Sequence, residues 1–273
     1  MMQAQVLSAV VNRMKIVKTI NYGQKYITDL KYINEGNVCV SVVNIEGNDS
    51  SCRQGYSPIG FFSTFGSCLC FMGNFDYEDV IFWDTSSRSL RTLSSWTLPY
   101  EPSSGYTPNG IAMCKSGAIL VCLWNHQVHE RSLGKVVKLS FNGTAQFEIE
   151  SEKNRPLFIC PTYITENGNG DICVSDVNAV VVTDAGGFLR FRYTGAQGDT
   201  QFDPYGICCD SKNNIIVADM VKNRIYMIDQ NGELLYYIHY SDMNKPRALC
   251  IDEDDNLYVG EWLFEEIKVL SLQ

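Results

Sequence analysis

Pro204-Tyr205-Gly206-Ile207, followed by Asp210, Asn214, Val217, Asp219 and Ile225, returns as Pro246-Arg247-Ala248-Leu249, Asp252, Asn256, Val259, Glu261 and Ile267. Every pair is 42 positions apart. A period of this length with strand-like content in each copy is the signature of a solenoid or a propeller. Upstream, Pro161, Ile164, Val174 and Asp176 match the 204 copy at an offset of 43. Pro108-Asn109-Gly110-Ile111 begins a further copy, interrupted by an insertion between Trp124 and Gly134. Pro58-Ile59-Gly60, with Cys68 to Met72 and Val80 to Asp84, reads as a weaker copy. Residues 24–57 then form a degenerate first one, short enough to lack a strand.

Each good copy divides into four short strands. In the 204 copy they are Tyr205–Cys209, Ile215–Asp219, Ile225–Asp229 and Leu234–Tyr240, all rich in Ile, Val, Tyr and Leu and bounded by polar turns. Asn231-Gly232 separates the third from the fourth, echoed by Asn142-Gly143 and Gly186-Gly187. Such dipeptides supply the positive backbone angles of tight hairpins. Four antiparallel strands per unit of about 40 residues indicate propeller blades. The last copy ends after its third strand, and the chain start offers an unassigned strand-like stretch, Met14 to Tyr22. The expected fold is therefore a single all-β domain over residues 1–273, a six-bladed β-propeller. Its last blade is completed by the N-terminal strand, which leaves no open sheet edge.

Composition narrows the function. The chain has no run approaching the roughly 18 apolar residues of a membrane helix, so no membrane association is expected. No basic region precedes Val6–Val11, and no secretory signal is expected. Of eleven cysteines, Cys39, Cys70, Cys122, Cys173, Cys208, Cys209 and Cys250 fall inside inferred strands, without metal-binding spacing. Reduced thiols and a cytoplasmic location follow as expectations. A net charge of -9 argues against a broad grip on nucleic acid.

The repeats resemble a known family. Asn214-Ile215-Ile216-Val217-Ala218-Asp219 with Lys222-Asn223-Arg224-Ile225 is similar to the NHL repeat, as is the Pro-x-Gly-Ile leader. Tyr163 to Asp176 and Asn178 to Gly187 resemble, more narrowly, the C-terminal propellers of tripartite-motif proteins of bivalve molluscs. The resemblance implies a domain that recognises a protein substrate or adaptor in the ubiquitin pathway, or binds single-stranded RNA. The RING, B-box and coiled-coil segments that carry ligase activity in that family are absent from these residues.

Catalysis finds little support. The three histidines are His126 and His129, together in the insertion, and His239 in an outer strand. A lone HxxH lacks a third ligand for zinc. Asp176, Asp219 and Glu261 end second strands before a turn, where a carboxylate accepts hydrogen bonds from turn backbone. No catalytic residue, metal ligand or cofactor is expected. The partner face is expected at the end of the propeller where d–a and b–c connections lie, since such loops vary over a rigid scaffold. Asn109, Trp124, Tyr163, Tyr205, Lys222, Asn223, Arg224, Arg247, Trp262 and Phe264 are its candidate residues. A protein partner is the first reading, because Glu261, Glu265 and Glu266 interrupt the face. Single-stranded RNA is the alternative, with Tyr205 stacking a base beside Lys222, Arg224, Lys245 and Arg247. A metal-dependent lactonase-like hydrolase is the third.

Overall fold

The computed structural model describes residues 11–21, 26–34, 37–43, 51–57, 60–67, 72–76, 79–84, 88–92, 97–125, 134–196 and 201–272. Its elements are all strands. Two short ones open the chain, β1 (Val11–Arg13) and β2 (Ile16–Asn21). The first sheet is β3 (Ile27–Asn34), β4 (Asn37–Val43), β5 (Ser51–Ser57) and β6 (Gly60–Ser67). The second is β7 (Met72–Asp76), β8 (Asp79–Asp84), β9 (Ser89–Thr92) and β10 (Thr97–Leu98). The third is β11 (Tyr106–Met113), β12 (Ile119–Asn125), β13 (Gly134–Leu139) and β14 (Ala145–Ile149). A two-stranded ribbon, β15 (Ser151–Glu152) and β16 (Arg155–Pro156), follows it.

The fourth sheet is β17 (Tyr163–Glu166), β18 (Ile172–Asp176), β19 (Ala179–Thr183) and β20 (Leu189–Tyr193). Then come β21 (Pro204–Cys209), β22 (Ile215–Asp219), β23 (Arg224–Ile228) and β24 (Leu234–His239), with β1 added parallel on the outer edge. The last sheet is β25 (Pro246–Ile251), β26 (Asn256–Glu261) and β27 (Glu266–Ser271), with β2 antiparallel beside β27, pairing Ile16 with Leu270 and Ile20 with Ile267.

The first strands of successive sheets adjoin in the order β3, β7, β11, β17, β21, β25, and β25 adjoins β3 again. The sheets thus stand around a common axis, as in a propeller. Alternate residues of one strand feed two different cores. Leu120 and Cys122 of β12 pack toward the fourth sheet with Ile164 and Val181, whereas Ile119, Val121 and Leu123 pack toward the second with Ile81 and Leu90. Both faces of such a strand are dry, which explains continuous apolar runs such as Ile215-Ile216-Val217-Ala218 where a half-exposed strand would alternate.

The leader glycine has a steric reason. A Cβ on Gly206 would sit 2.4 Å from the carbonyl oxygen of Arg247, and one on Gly110 would sit 2.5 Å from that of Thr162. At these positions the first strand of one sheet lies against that of the next. Gly206→Ala forces the two strands apart and is expected to cost about 1–3 kcal/mol, as for overpacked cores. A lowered urea midpoint checks this; an unchanged midpoint contradicts the close approach.

The early chain differs from its sequence reading. Gly60–Ser67 is the fourth strand of the first sheet, and Asp79–Asp84 is the second strand of the next. The first sheet therefore has four strands and extends to Ser67, beyond the expected limit at residue 57. Its leading strand begins Ile27-Thr28-Asp29-Leu30 with no proline, so Pro58-Ile59-Gly60 imitated a leader that the sheet itself lacks. Pro58, Cys70, His126 and His129 lie outside the described residues, and no helix among those described is long and apolar enough to cross a membrane.

Candidate functional site

Strand register fixes which ends share a face. Pro204 pairs with Asp219, and Asp219 with Arg224. The start of each first strand, the second-to-third turn and the end of each fourth strand therefore lie at one end of the propeller. At that end four of the expected residues come together. The Arg247 guanidinium lies 4.8 Å from the ring centre of Tyr205 and 4.3 Å from that of Trp262. Tyr205 meets Tyr163 edge-on at 6.4 Å, and Trp262 meets Tyr26 edge-on at 5.2 Å.

Tyr163 occupies the position that Gly110, Gly206 and Ala248 hold in their own sheets, so it alone of the four sends a large side chain inward. Its hydroxyl donates to the carbonyl of Thr28, 2.6 Å away. Thr28 is in β3 and Tyr163 in β17, three places apart in the ring of first strands, so the contact crosses the axis. Burial pushes the Tyr163 hydroxyl up to about 12, with the Arg247 charge and hydrogen bond opposing. Tyr163 is 4% exposed, which removes it from the expected contact surface. Its side chain spans the axis at this end.

The other expected residues lie at the same end but outside this stack. Asn109 is half-buried in β11, its amide donating to the Pro161 carbonyl at 3.2 Å, so it ties two sheets together. Asn223 adopts a left-handed φ of 52° and accepts from the Lys245 backbone N–H at 2.6 Å, another tie between sheets. Arg224 begins β23 and lies over the Tyr237 ring of its own sheet at 4.9 Å. Lys222 is half-buried in the β22–β23 turn, and Trp124 is half-buried near the end of β12. Tyr205 and Arg247 stand on strands β21 and β25, each second in its strand, where loops were expected. Phe264 is exposed, in the β26–β27 turn.

Phe264 was expected on this face, and sequence reasoning missed that it belongs to a row of apolar side chains continuing through Val177 and Val221. Val177, Val221, Leu263 and Phe264 are 39%, 57%, 38% and 38% exposed, in the second-to-third turns of three successive sheets. Ile159, 47% exposed, lies in the connection into β17. The signal was available: each turn follows the repeated acidic residue, and a polar turn is the ordinary expectation there.

Those acidic residues point inward. Asp176 accepts from the backbone N–H groups of Ile159 and Cys160, Asp219 from those of Asp203 and Lys222, and Glu261 from that of Asn244 and from the Tyr240 hydroxyl. Asp176 also faces Arg192 at 3.7 Å. Each carboxylate thus anchors the connection that leads into its own sheet. Glu261 is 1% exposed, so it does not interrupt the face as expected from sequence.

Burial raises all three above their ordinary values, against the hydrogen bonds that lower them. A carboxylate raised in the folded state binds its proton more readily there than in the unfolded chain. Its contribution is fully present below the unfolded value and is lost as pH rises through the folded one. The urea midpoint is expected to rise as pH falls from neutral toward the ordinary carboxylate range, and Asp176→Asn should flatten part of that slope. A midpoint that falls over this range contradicts the assignment.

At the opposite end of the axis, a cavity of about 160 Å³ is lined by the far halves of first strands, including Lys31, Thr165, Cys208 and Cys250. Burial pushes the Cys208 thiol up to about 12 and Cys250 well above its usual value. Lys31 pairs with Asp29 at 3.5 Å. The cavity thus offers neither a thiolate nor an uncommitted lysine. Among the described residues no group of three His, Cys, Asp or Glu side chains is arranged to hold a metal ion.

No protein-family model and no curated protein matches the chain. Solved structures do. Regucalcin from Agrobacterium tumefaciens, described as a calcium-binding protein, is similar at a TM-score of 0.64 and 14% identity, covering 96% of this chain and 95% of its own. A catalytically inactive virginiamycin B lyase from Staphylococcus aureus, solved with quinupristin, is similar at 0.62 and 14% identity, covering 94% and 88%. The WD40 propeller domain of Doa1 is similar at 0.58 and 11% identity, covering 94% and 97%. Two of these neighbours are a lyase and a calcium-binding protein and the third is a WD40 domain. At such identities the likeness establishes the all-β propeller fold of this chain and that alone.

Proposed function

We propose that this chain is a non-catalytic propeller of six blades, closed by its N-terminal strand, that binds a protein partner at the end bearing Arg247. The pairing of β2 with β27 and the return of β25 to β3 support the closure. The observation that carries the binding reading is the row Val177, Val221, Leu263 and Phe264, exposed on successive turns beside the Tyr205–Arg247–Trp262 stack. Exposed apolar side chains around an aromatic and arginine centre are the composition of protein interfaces. By its repeats the domain resembles the substrate-recognition propellers of tripartite-motif ubiquitin ligases, and a protein substrate or adaptor is the partner this implies. Buried, protonated thiols such as Cys122 and Cys250 suit a cytoplasmic setting. Immobilised wild type, compared with a Val221→Asp, Phe264→Asp variant of equal thermal stability, tests the reading. Retention of a nuclease-resistant protein by the wild type alone supports it, and equal retention by both contradicts it.

Single-stranded RNA remains the second reading, supported by the cations Lys222, Arg224, Lys245 and Arg247 at this end. Base stacking on Tyr205 would first require Arg247 to leave that ring, which favours the protein reading. A lactonase-like hydrolase is the third reading, disfavoured by Tyr163 lying across the axis at this end.

A further inference from the structure

Several other cations of this propeller are ion-paired. Lys31 pairs with Asp29, Lys135 with Glu148, Arg190 with Asp171 and Arg192 with Asp176. No carboxylate of the described residues lies within ion-pairing distance of Arg247, and its buried Nε has no hydrogen-bond acceptor. This occurs in a chain with 31 acidic and 22 basic residues, where acidic partners are plentiful. Asp29, whose charge reaches Tyr163 beside Arg247, pairs with Lys31 at 3.5 Å. The guanidinium is held between two rings, so its orientation is set before any ligand arrives.

We propose that Arg247 is the seat for a carboxylate of the protein partner, an Asp or Glu side chain with apolar residues beside it. This rests on the reading of the face given above and names the chemistry it selects. A planar guanidinium fixed by stacking presents its N–H groups as a fork, which matches a carboxylate in geometry and charge. Trp262 and Tyr205 shield the pair from water, and a shielded pair is less screened than a surface one. Val221, Leu263 and Phe264, on the turns of the same sheets, would take the flanking apolar side chains. A polyanion, by contrast, would lay successive phosphates across those exposed apolar turns without a cation for each.

The test uses a displayed library of random twelve-residue peptides, selected on the full chain. Wild type should enrich peptides carrying Asp or Glu next to apolar residues. Arg247→Met, which keeps an unbranched stem between the rings, should not enrich them. A selected peptide, synthesised with its acidic residue or with the matching amide, completes a double-mutant cycle. The amide should weaken binding to wild type at least tenfold and to Arg247→Met less than twofold. Equal losses on both proteins, or selected peptides without an acidic residue, overturn the carboxylate seat. If binding in that case is still abolished by Val221→Asp with Phe264→Asp, the face survives and only the seat fails. Peptides indifferent to all these changes, or no enrichment by folded wild type, overturn both.

Discussion

Removal of residues 1–23 is expected to make the chain aggregate, with the thermal midpoint of the protein left in solution about 5–15 °C lower. The strand lost, β2, covers the outer edge of β27, and an uncovered edge is a template for pairing with other chains. Ile16 and Ile20 are partly buried against the cores on either side of the last sheet. Two such side chains contribute about 2–4 kcal/mol, and each kcal/mol moves the midpoint of a domain of this size by about 2–4 °C. The same deletion removes β1, which pairs parallel with β24 of the preceding sheet. One segment thus straps two sheets together, with the Met14 N–H donating to the His239 carbonyl at 2.8 Å between its two strands. Light scattering and a thermal melt check the prediction. A truncated chain as soluble and as stable as the full one contradicts the closure.

The second large effect is on binding. Arg247→Ala with Phe264→Ala is expected to weaken the partner complex by about 1–4 kcal/mol per anchor, while the melting temperature moves little. Phe264 is exposed, and the Arg247 side chain supports the fold through ring contacts more than through ion pairs. Titration of the captured partner against both proteins measures this. Undiminished affinity in the folded double variant places the interface at the rim or the opposite end.

The repeat carried most of the fold. Copies spaced 42 apart give strands that agree with the structure to within a residue or two from Pro161 onward, because both faces of each strand are buried and the apolar runs are unbroken. Where the leader vanished, so did legibility. Ile27-Thr28-Asp29-Leu30 forms a first strand without proline or glycine, and Pro58-Ile59-Gly60 drew the boundary to the wrong place. β1 was invisible because its partner is β24, more than two hundred residues away and parallel.

The site was half legible. Tyr205, Arg247 and Trp262 could be placed at one end by strand parity, but their stacking follows from register. Pro246 opposite Glu261 brings the residues that follow each into reach of one another. Tyr163 misled because a repeat position normally filled by glycine or alanine gave no hint that a tyrosine there would cross the axis to Thr28. Glu261 misled in the other direction, since an acidic residue before a turn reads as exposed unless its backbone partners are known.

Crosslinking decides most directly which end of the propeller meets a protein. A photo-crosslinking residue at position 264 samples the Arg247 end. One at position 188, where Phe188 is 69% exposed after the hairpin Gly186-Gly187, samples the other. Crosslinking in extract, with and without nuclease, should attach a protein of defined mass to position 264 in both conditions and leave position 188 unmodified. Crosslinks confined to position 188, or crosslinks at 264 that vanish with nuclease, would contradict binding of a protein at the Arg247 end.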